Sequence, residues 1–372
     1  MSTAVAFEPA VRSAAPLAVL RNPSIILLGT GTVGRAFVAR CLRLQQLGVV
    51  LPTFSVIANS RGIEACGVDA AAALRRVEGS YRQRGTVQVD SNAFSCGDIV
   101  VDATASDDVA ARHAAWLARG IHVVTANKLG NGGSLARALA ISDARREGGA
   151  HYGDAATVGA GLPLLRSIRE LVAGGDRIHR IEGVLSGSLA WLFDRYDGMR
   201  PFSGFVREAR AAGYTEPDPR IDLSGEDVRR KLLILARAAS VRLETEAVQV
   251  DSLLPAALAE AHEDRVDALL PSLDGCLRDR FKAAHRDGAK LRFVGCLRGG
   301  PQMAEHASVG LRALPADHPL CGGRGTDNRV AIFSDRYREQ PLVIQGPGAG
   351  AEVTAAALLD DVLRVARNPC RP

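Results

Sequence analysis

The chain has 372 residues, 47% of them hydrophobic and 23% charged, with a formal net charge of +5; this is ordinary for a globular protein and long enough for two lobes. Its basic residues are scattered, and short clusters such as Arg145-Arg146 and Arg229-Arg230-Lys231 fall in helical patterns, so nothing calls for nucleic acid, and no apolar run approaches the ~20 residues that cross a membrane. Seven cysteines, an odd number without CxxC or cysteine–histidine spacing, argue against a disulfide frame and a zinc site and point to a reducing, cytoplasmic compartment.

Residues 1–22 are Ala-rich, broken by Pro9 and Pro16, and read as a flexible leader. Ser24–Leu28 is a continuous apolar run ending in Gly29-Thr30-Gly31-Thr32-Val33-Gly34, after which helical periodicity runs through Ala36, Phe37, Val38, Cys41 and Leu44. Strand, glycine turn and helix form the context in which GxGxxG reads as a dinucleotide fingerprint. Further buried strands are expected at 54–59, 99–103 and 122–125, with a helix between the last two. Strands alternating with helices imply a parallel, doubly wound sheet. After Gly161-Leu162-Pro163 a helix should run to about Val172, with Pro163 in its first turn.

A strand over 180–186 then opens a second lobe. Helices are expected at 187–197, 201–212, 225–239, 253–268 and 273–287, and strands at 290–297, 303–313, 328–334 and 341–345. That order suggests a largely antiparallel sheet with helices on one face. Gly346–Gly350 leads into a last helix, expected to pack back on the first lobe. The fold class is α/β: a Rossmann-type parallel-sheet domain over 23–158, joined by the helix 346–368, and an α+β domain over 159–345.

In the fingerprint, Gly29 permits the tight turn, Gly31 lets a pyrophosphate approach the backbone beside Thr32 and Val33, and Gly34 allows helix and strand to pack closely. At the end of the second strand an acid would bind the ribose hydroxyls of NAD. The chain has Asn59-Ser60-Arg61 there instead, and Arg61 suits the 2′-phosphate of NADP, with NAD as the alternative. The densest polar stretch, Gly213 to Lys231, carries Glu216, Asp218 and Asp222 in a loop stiffened by Pro217 and Pro219. Ser224 is placed to cap a helix on which Asp227 and Lys231 stand on one face, four residues apart. The plain alternative is a surface ion pair worth about a few tenths of a kcal/mol. Against it stands a rigid carboxylate-rich loop beside a lysine, as binding of a zwitterionic amino acid requires.

The stretch GYTEPDPRIDLSGEDVRRK closely resembles the substrate loop and catalytic helix of homoserine dehydrogenases. Thr125–Lys128, Thr157–Pro163, Leu185–Leu189 and the Gly346–Gly350 turn match the same family in the same order, over about residues 24–366. The nearest look is to the dehydrogenase half of fused aspartokinase–homoserine dehydrogenases. The resemblance implies interconversion of L-homoserine and L-aspartate 4-semialdehyde by a nicotinamide cofactor, on the route to threonine, methionine and isoleucine. It also implies that the 159–345 domain serves substrate binding and dimerisation, in a homodimer or dimer-based oligomer. Carried over by position, it assigns Lys231 as proton donor, Lys128 as a second lysine near cofactor and substrate, Glu216 to the substrate ammonium, and Asp227 to the substrate or its lysine partner. Asp222 and Gly213 join the substrate set, and Thr104 and Gly348 join the cofactor set. A lysine ammonium suits a reaction in which negative charge develops on a carbonyl oxygen, and two nearby cations lower each other's pKa.

One departure stands out. Many members hold a sodium ion with backbone carbonyls and an acid that precedes TVGAGLP. The matching residue here is Ala155, with Asp154 one place off, so a sodium ion is implied only through the carbonyls of Val158, Ala160 and Leu162. An aspartate-semialdehyde dehydrogenase would need an activated cysteine beside a histidine, and Cys96 precedes a buried strand, away from the polar stretch. A redox sensor without turnover would lack the Glu216, Asp227 and Lys231 set. The likeness ends near residue 366 without a further module, from which indifference to threonine is expected.

Overall fold

A computed structural model of the chain describes residues 23–80, 93–300 and 302–367; the expected leader lies outside the described residues. Strands β1 (Ser24–Leu28), β2 (Thr53–Ala58), β3 (Ile63–Ala65), β4 (Ile99–Asp102), β5 (His122–Thr125) and β6 (Tyr152–Gly153) form one sheet in the order β3-β2-β1-β4-β5-β6. All pair in parallel except β3, which returns antiparallel to β2. Every residue of β1, β4 and β5 is buried, as a parallel strand covered on both faces requires. The helices between these strands are α1 (Thr32–Gln46), α2 (Ala70–Gly79), α3 (Asp107–Ala110), α4 (His113–Ala118) and α5 (Leu135–Glu147). Chain order reverses between β1 and β4, so a crevice opens at the carboxyl ends of those two strands.

The second lobe begins with α6 (Leu164–Ala173), β7 (Ile178–Val184), α7 (Gly187–Arg195), α8 (Phe202–Ala211), α9 (Arg220–Leu223) and α10 (Glu226–Ala238). Two short strands follow, β8 (Val241–Arg242) and β9 (Gln249–Val250), then α11 (Ala256–Ala259), α12 (Val266–Leu269) and α13 (Asp274–Arg286). The chain ends with β10 (Ala289–Gly300), β11 (Gln302–Pro315), β12 (Asp327–Ser334), β13 (Leu342–Pro347) and α14 (Ala351–Arg367). The second sheet runs β13-β12-β7-β10-β11-β8, antiparallel as far as β11, with β8 and β9 both parallel to β11.

The core of this lobe lies where α6 and α10 meet the sheet. α6 buries Leu164, Leu165, Ile168 and Leu171, and α10 buries Val228, Leu232 and Leu235 against Phe293 and Leu311. Each such side chain contributes about 1.5–3 kcal/mol by leaving water. α14 belongs to the other core: Leu358, Val362 and Val365, one turn apart, pack with Ile25, Phe37 and Cys41 of the first lobe. No helix among the described residues is long and apolar enough to cross a membrane.

Three local expectations change. The helix expected at 253–268 is broken into α11, a 3-10 turn at Glu263–Arg265 and α12, because Glu260–Arg265 offers no large apolar side chain to hold a continuous helix on the core. Pro163 sits at the N-cap position of α6, one residue before its first turn. Ser224 does not cap α10; Gly225 takes that position with a left-handed φ of +81°. A side chain there would meet the Phe293 ring at 2.9 Å. The Ser224 hydroxyl instead donates to Ile221 O and accepts the N–H of Glu226.

Candidate active site

The glycine turn lies at the mouth of the β1–β4 crevice. Gly29 has a φ of +100°, and a Cβ there would fall 2.6 Å from Ala103 O. At Gly34 a Cβ would fall 2.0 Å from Gly29 O, so only glycine lets α1 pack on the turn. Gly31 differs: a Cβ would meet nothing within 4 Å. Two glycines are thus needed by the chain itself, and the third leaves space above the amino end of α1. No side chain caps that helix end and no acid occupies its first turn, so its N–H groups near Thr32 and Val33 are available to an anion such as a pyrophosphate. Thr104 faces the turn across the crevice, its Cγ2 3.0 Å from the position of a Gly29 Cβ. Asp102, fully buried, accepts both the N–H (2.9 Å) and the hydroxyl (2.7 Å) of Thr104.

At the end of β2, Asn59 organises the loop. Its carbonyl oxygen accepts the N–H groups of Arg61 and Gly62, and its amide donates to Thr30 in the glycine turn. Arg61 is exposed and has no carboxylate within 4 Å among the described residues. That leaves a free guanidinium at the rim where the ribose of a dinucleotide would lie.

Two lysines and one aspartate meet where the lobes touch. Lys128 follows β5, beside Asn127, whose buried side chain is held by Ser106 O and Leu129 N. Asp227 and Lys231 stand one turn apart on α10. Asp227 Oδ1 accepts from Lys128 Nζ at 2.7 Å, and its Oδ2 lies 2.8 Å from Lys231 Nζ. Lys231 also donates to Leu185 O at 2.7 Å. Gly132 allows this approach: a Cβ there would crowd Lys128 O at 2.5 Å and Arg230 O at 3.2 Å.

Lys231 is only 8% exposed. Burial pushes its pKa below the ordinary lysine range and the Lys128 charge pushes the same way, while Asp227 opposes both. Asp227 is itself desolvated, yet the two ammonium groups hold its carboxyl well below the usual carboxylate range. Its place in the first turn of α10 also favours the anion.

The 213–225 stretch is part loop and part α9. Gly213 leaves α8 in the left-handed region (φ +72°). Asp218 pairs with Arg220, which also reaches Ala261 O, so this acid pins the loop. Asp222 accepts from Ser188 Oγ (2.6 Å) and from the N–H of Glu216 (2.9 Å), and burial raises its pKa. Glu216 is exposed and has no cationic partner within 4 Å among the described residues. Of the loop's acids it is the one left to meet a cation from outside.

The remaining turns close the back of the site. Gly159 and Ala160 are both left-handed (φ +72° and +49°), and Gly161 lies against Val353 O in α14. Gly348 is tight where Gly31 is open: a Cβ would fall 1.1 Å from Oδ1 of the buried Asn328, so this glycine has a packing reason. The carboxylate of Asp154 is spent on a two-pronged bond from Arg169 (2.6 and 2.8 Å) and one from Asn131. Ala155 offers its N–H to Asp361, and Leu162 O accepts from Leu164 N. Among the described residues no three His, Cys, Asp or Glu side chains are grouped to hold a metal. A cation at Val158, Ala160 and Leu162 would rest on carbonyl oxygens alone.

The family model described as homoserine dehydrogenase matches residues 163–363, and the model described as its NAD binding domain matches 29–153. A bifunctional aspartokinase/homoserine dehydrogenase 1 of Arabidopsis thaliana is 44% identical over 76% of this chain; the chain spans 31% of that relative's length. A homoserine dehydrogenase of Emericella nidulans is 33% identical over 91% of this chain and 97% of its own. Among solved structures, a hyperthermophilic archaeal homoserine dehydrogenase in complex with NADPH shares the fold with a TM-score of 0.69 at 22% identity, covering 94% of this chain and 99% of that one.

Proposed function

The chain belongs to the homoserine dehydrogenase family, and we propose that it interconverts L-homoserine and L-aspartate 4-semialdehyde with NADP, on the route to threonine, methionine and isoleucine. The observation that carries the reading is the Asp227 carboxylate shared by Lys128 and Lys231, one lysine from each lobe.

In this reading the glycine turn and the amino end of α1 hold the pyrophosphate, Thr104 and Lys128 border the nicotinamide side, and Arg61 binds the 2′-phosphate. The bound nicotinamide supplies or accepts the hydride. Lys231 Nζ, when protonated, donates to the carbonyl oxygen as negative charge grows there; in the reverse direction the neutral amine takes the alcohol proton. Burial and the Lys128 charge lower its pKa, which makes the ammonium a readier proton donor, and Leu185 O and Asp227 fix its direction. Lys128 adds a second positive charge beside the developing alkoxide. Glu216 receives the substrate ammonium, with Asp222 holding the Glu216 backbone in place. The NADPH complex of the archaeal protein supports a cofactor with a 2′-phosphate. Family membership supports a homodimer or dimer-based oligomer, and the free cysteines of the described residues suit a reducing, cytoplasmic compartment.

The test crosses NADP and NAD with L-homoserine, L-serine and L-threonine, reading absorbance of reduced nicotinamide. Homoserine with NADP should give the fastest signal, and Arg61→Ala should weaken NADP while leaving NAD almost unchanged. Cofactor binding without any turnover of homoserine would overturn the reading.

A further inference from the structure

A cavity of about 570 Å³ lies away from the cofactor crevice, between α5 of the first lobe and the corner where α10 turns into β8. That size is within the range of small-molecule sites. Arg145, Arg169, Arg237 and Arg242 line it, and among the described residues no aspartate or glutamate does. Arg169 is spent on Asp154. Arg145 and Arg242 are exposed at the rim and have no carboxylate within 4 Å among the described residues.

Arg237 is the informative one. It donates to the carbonyls of Asn131 and Leu243, but its buried Nε has no partner among the described residues. Burial pulls its guanidinium down to about 10, opposed only by the more distant Glu244, so it remains charged at neutral pH. Its positive charge has no carboxylate within 4 Å among the described residues, so an anion in the cavity would meet an uncompensated guanidinium. Positive charges on different walls suit a ligand with more than one anionic group.

We infer that this cavity binds a small organic polyanion bearing carboxylate or phosphate groups, separate from the cofactor and from the Lys128–Asp227–Lys231 junction. Its floor includes Asn131, three residues after Lys128, so an occupant would lie against the segment that carries that lysine.

The test titrates inorganic phosphate and citrate, separately, into the full chain by calorimetry at physiological ionic strength, with and without saturating NADPH. One site per chain is expected, persisting with NADPH bound, and weakened about tenfold or more in R145Q/R242Q. The variant should keep the wild-type NADPH affinity and melting temperature. Binding of phosphate alone assigns a phosphate ester, and binding of citrate alone a polycarboxylate. Absence of binding by both anions, displacement by NADPH, or unchanged affinity in the double variant would overturn the assignment.

Discussion

Lys231 occupies a place its helix would otherwise give to an apolar residue. Val228, Leu232 and Leu235 of the same stripe are buried, and the lysine stands among them at 8% exposure. Burying an unpaired ammonium costs about several kcal/mol, and here Asp227 and Leu185 O offset it. The spacing of Asp227 and Lys231 was legible in the sequence, because i and i+4 share a helix face. The Leu185 carbonyl and the Ser188–Asp222 bond were not, since backbone acceptors and contacts across 34 residues leave no local pattern. The pH profile reads the junction directly. If Lys231 takes the alcohol proton as proposed, its neutral amine is the working form in homoserine oxidation, and kcat/KM should fall as pH drops through its pKa. Lys128→Met removes a like charge and should move that limb to higher pH; Asp227→Asn removes the opposite charge and should move it to lower pH. Shifts of the same sign in both variants would refute the charge assignment. Glu216→Gln keeps the loop and loses the charge, and should raise KM for homoserine about ten- to hundredfold with little change in NADPH affinity; an unaltered KM would make Glu216 structural.

At the scale of elements, the glycine turn separates packing from binding. Gly34→Ala puts a Cβ 2.0 Å from Gly29 O and should cost about 1–3 kcal/mol or more of stability. Gly31→Ala meets nothing within 4 Å among the described residues and should melt like wild type while binding NADPH more weakly, because the added methyl would enter the space proposed for the pyrophosphate. Melting curves and cofactor titrations on the two variants check this, and a normal NADPH affinity in Gly31→Ala would remove the pyrophosphate from that spot. Strands buried on both faces and helices with a strong apolar stripe, such as α6 and α10, were readable from periodicity. α2 and α5 were harder: their buried faces are largely alanine (Ala70 and Ala73, Ala138 and Ala144), which gives a weak pattern, and their clearest signals are the caps Asp69 and Ser134. The break at 253–268 falls at the charged segment Glu260–Arg265, which has no large apolar side chain to bury.

At the scale of the whole molecule, the chain builds a first lobe, leaves it for a second, and returns through α14 to the first core. The order of elements showed two lobes, but not which residues meet across them. Lys128 and Asp227 are 99 positions apart and bond only because β5 ends opposite the start of α10. Catalysis on this view belongs to the junction, and neither lobe alone contains it. The most direct measurement is kcat for L-homoserine with NADP in Lys231→Ala, taken with the NADPH dissociation constant of the same variant. Loss of a group that stabilises charge mainly in the transition state should lower kcat by about 10²–10³ and leave cofactor affinity nearly unchanged. A kcat near wild type would contradict the role of Lys231 and move the proton donor elsewhere.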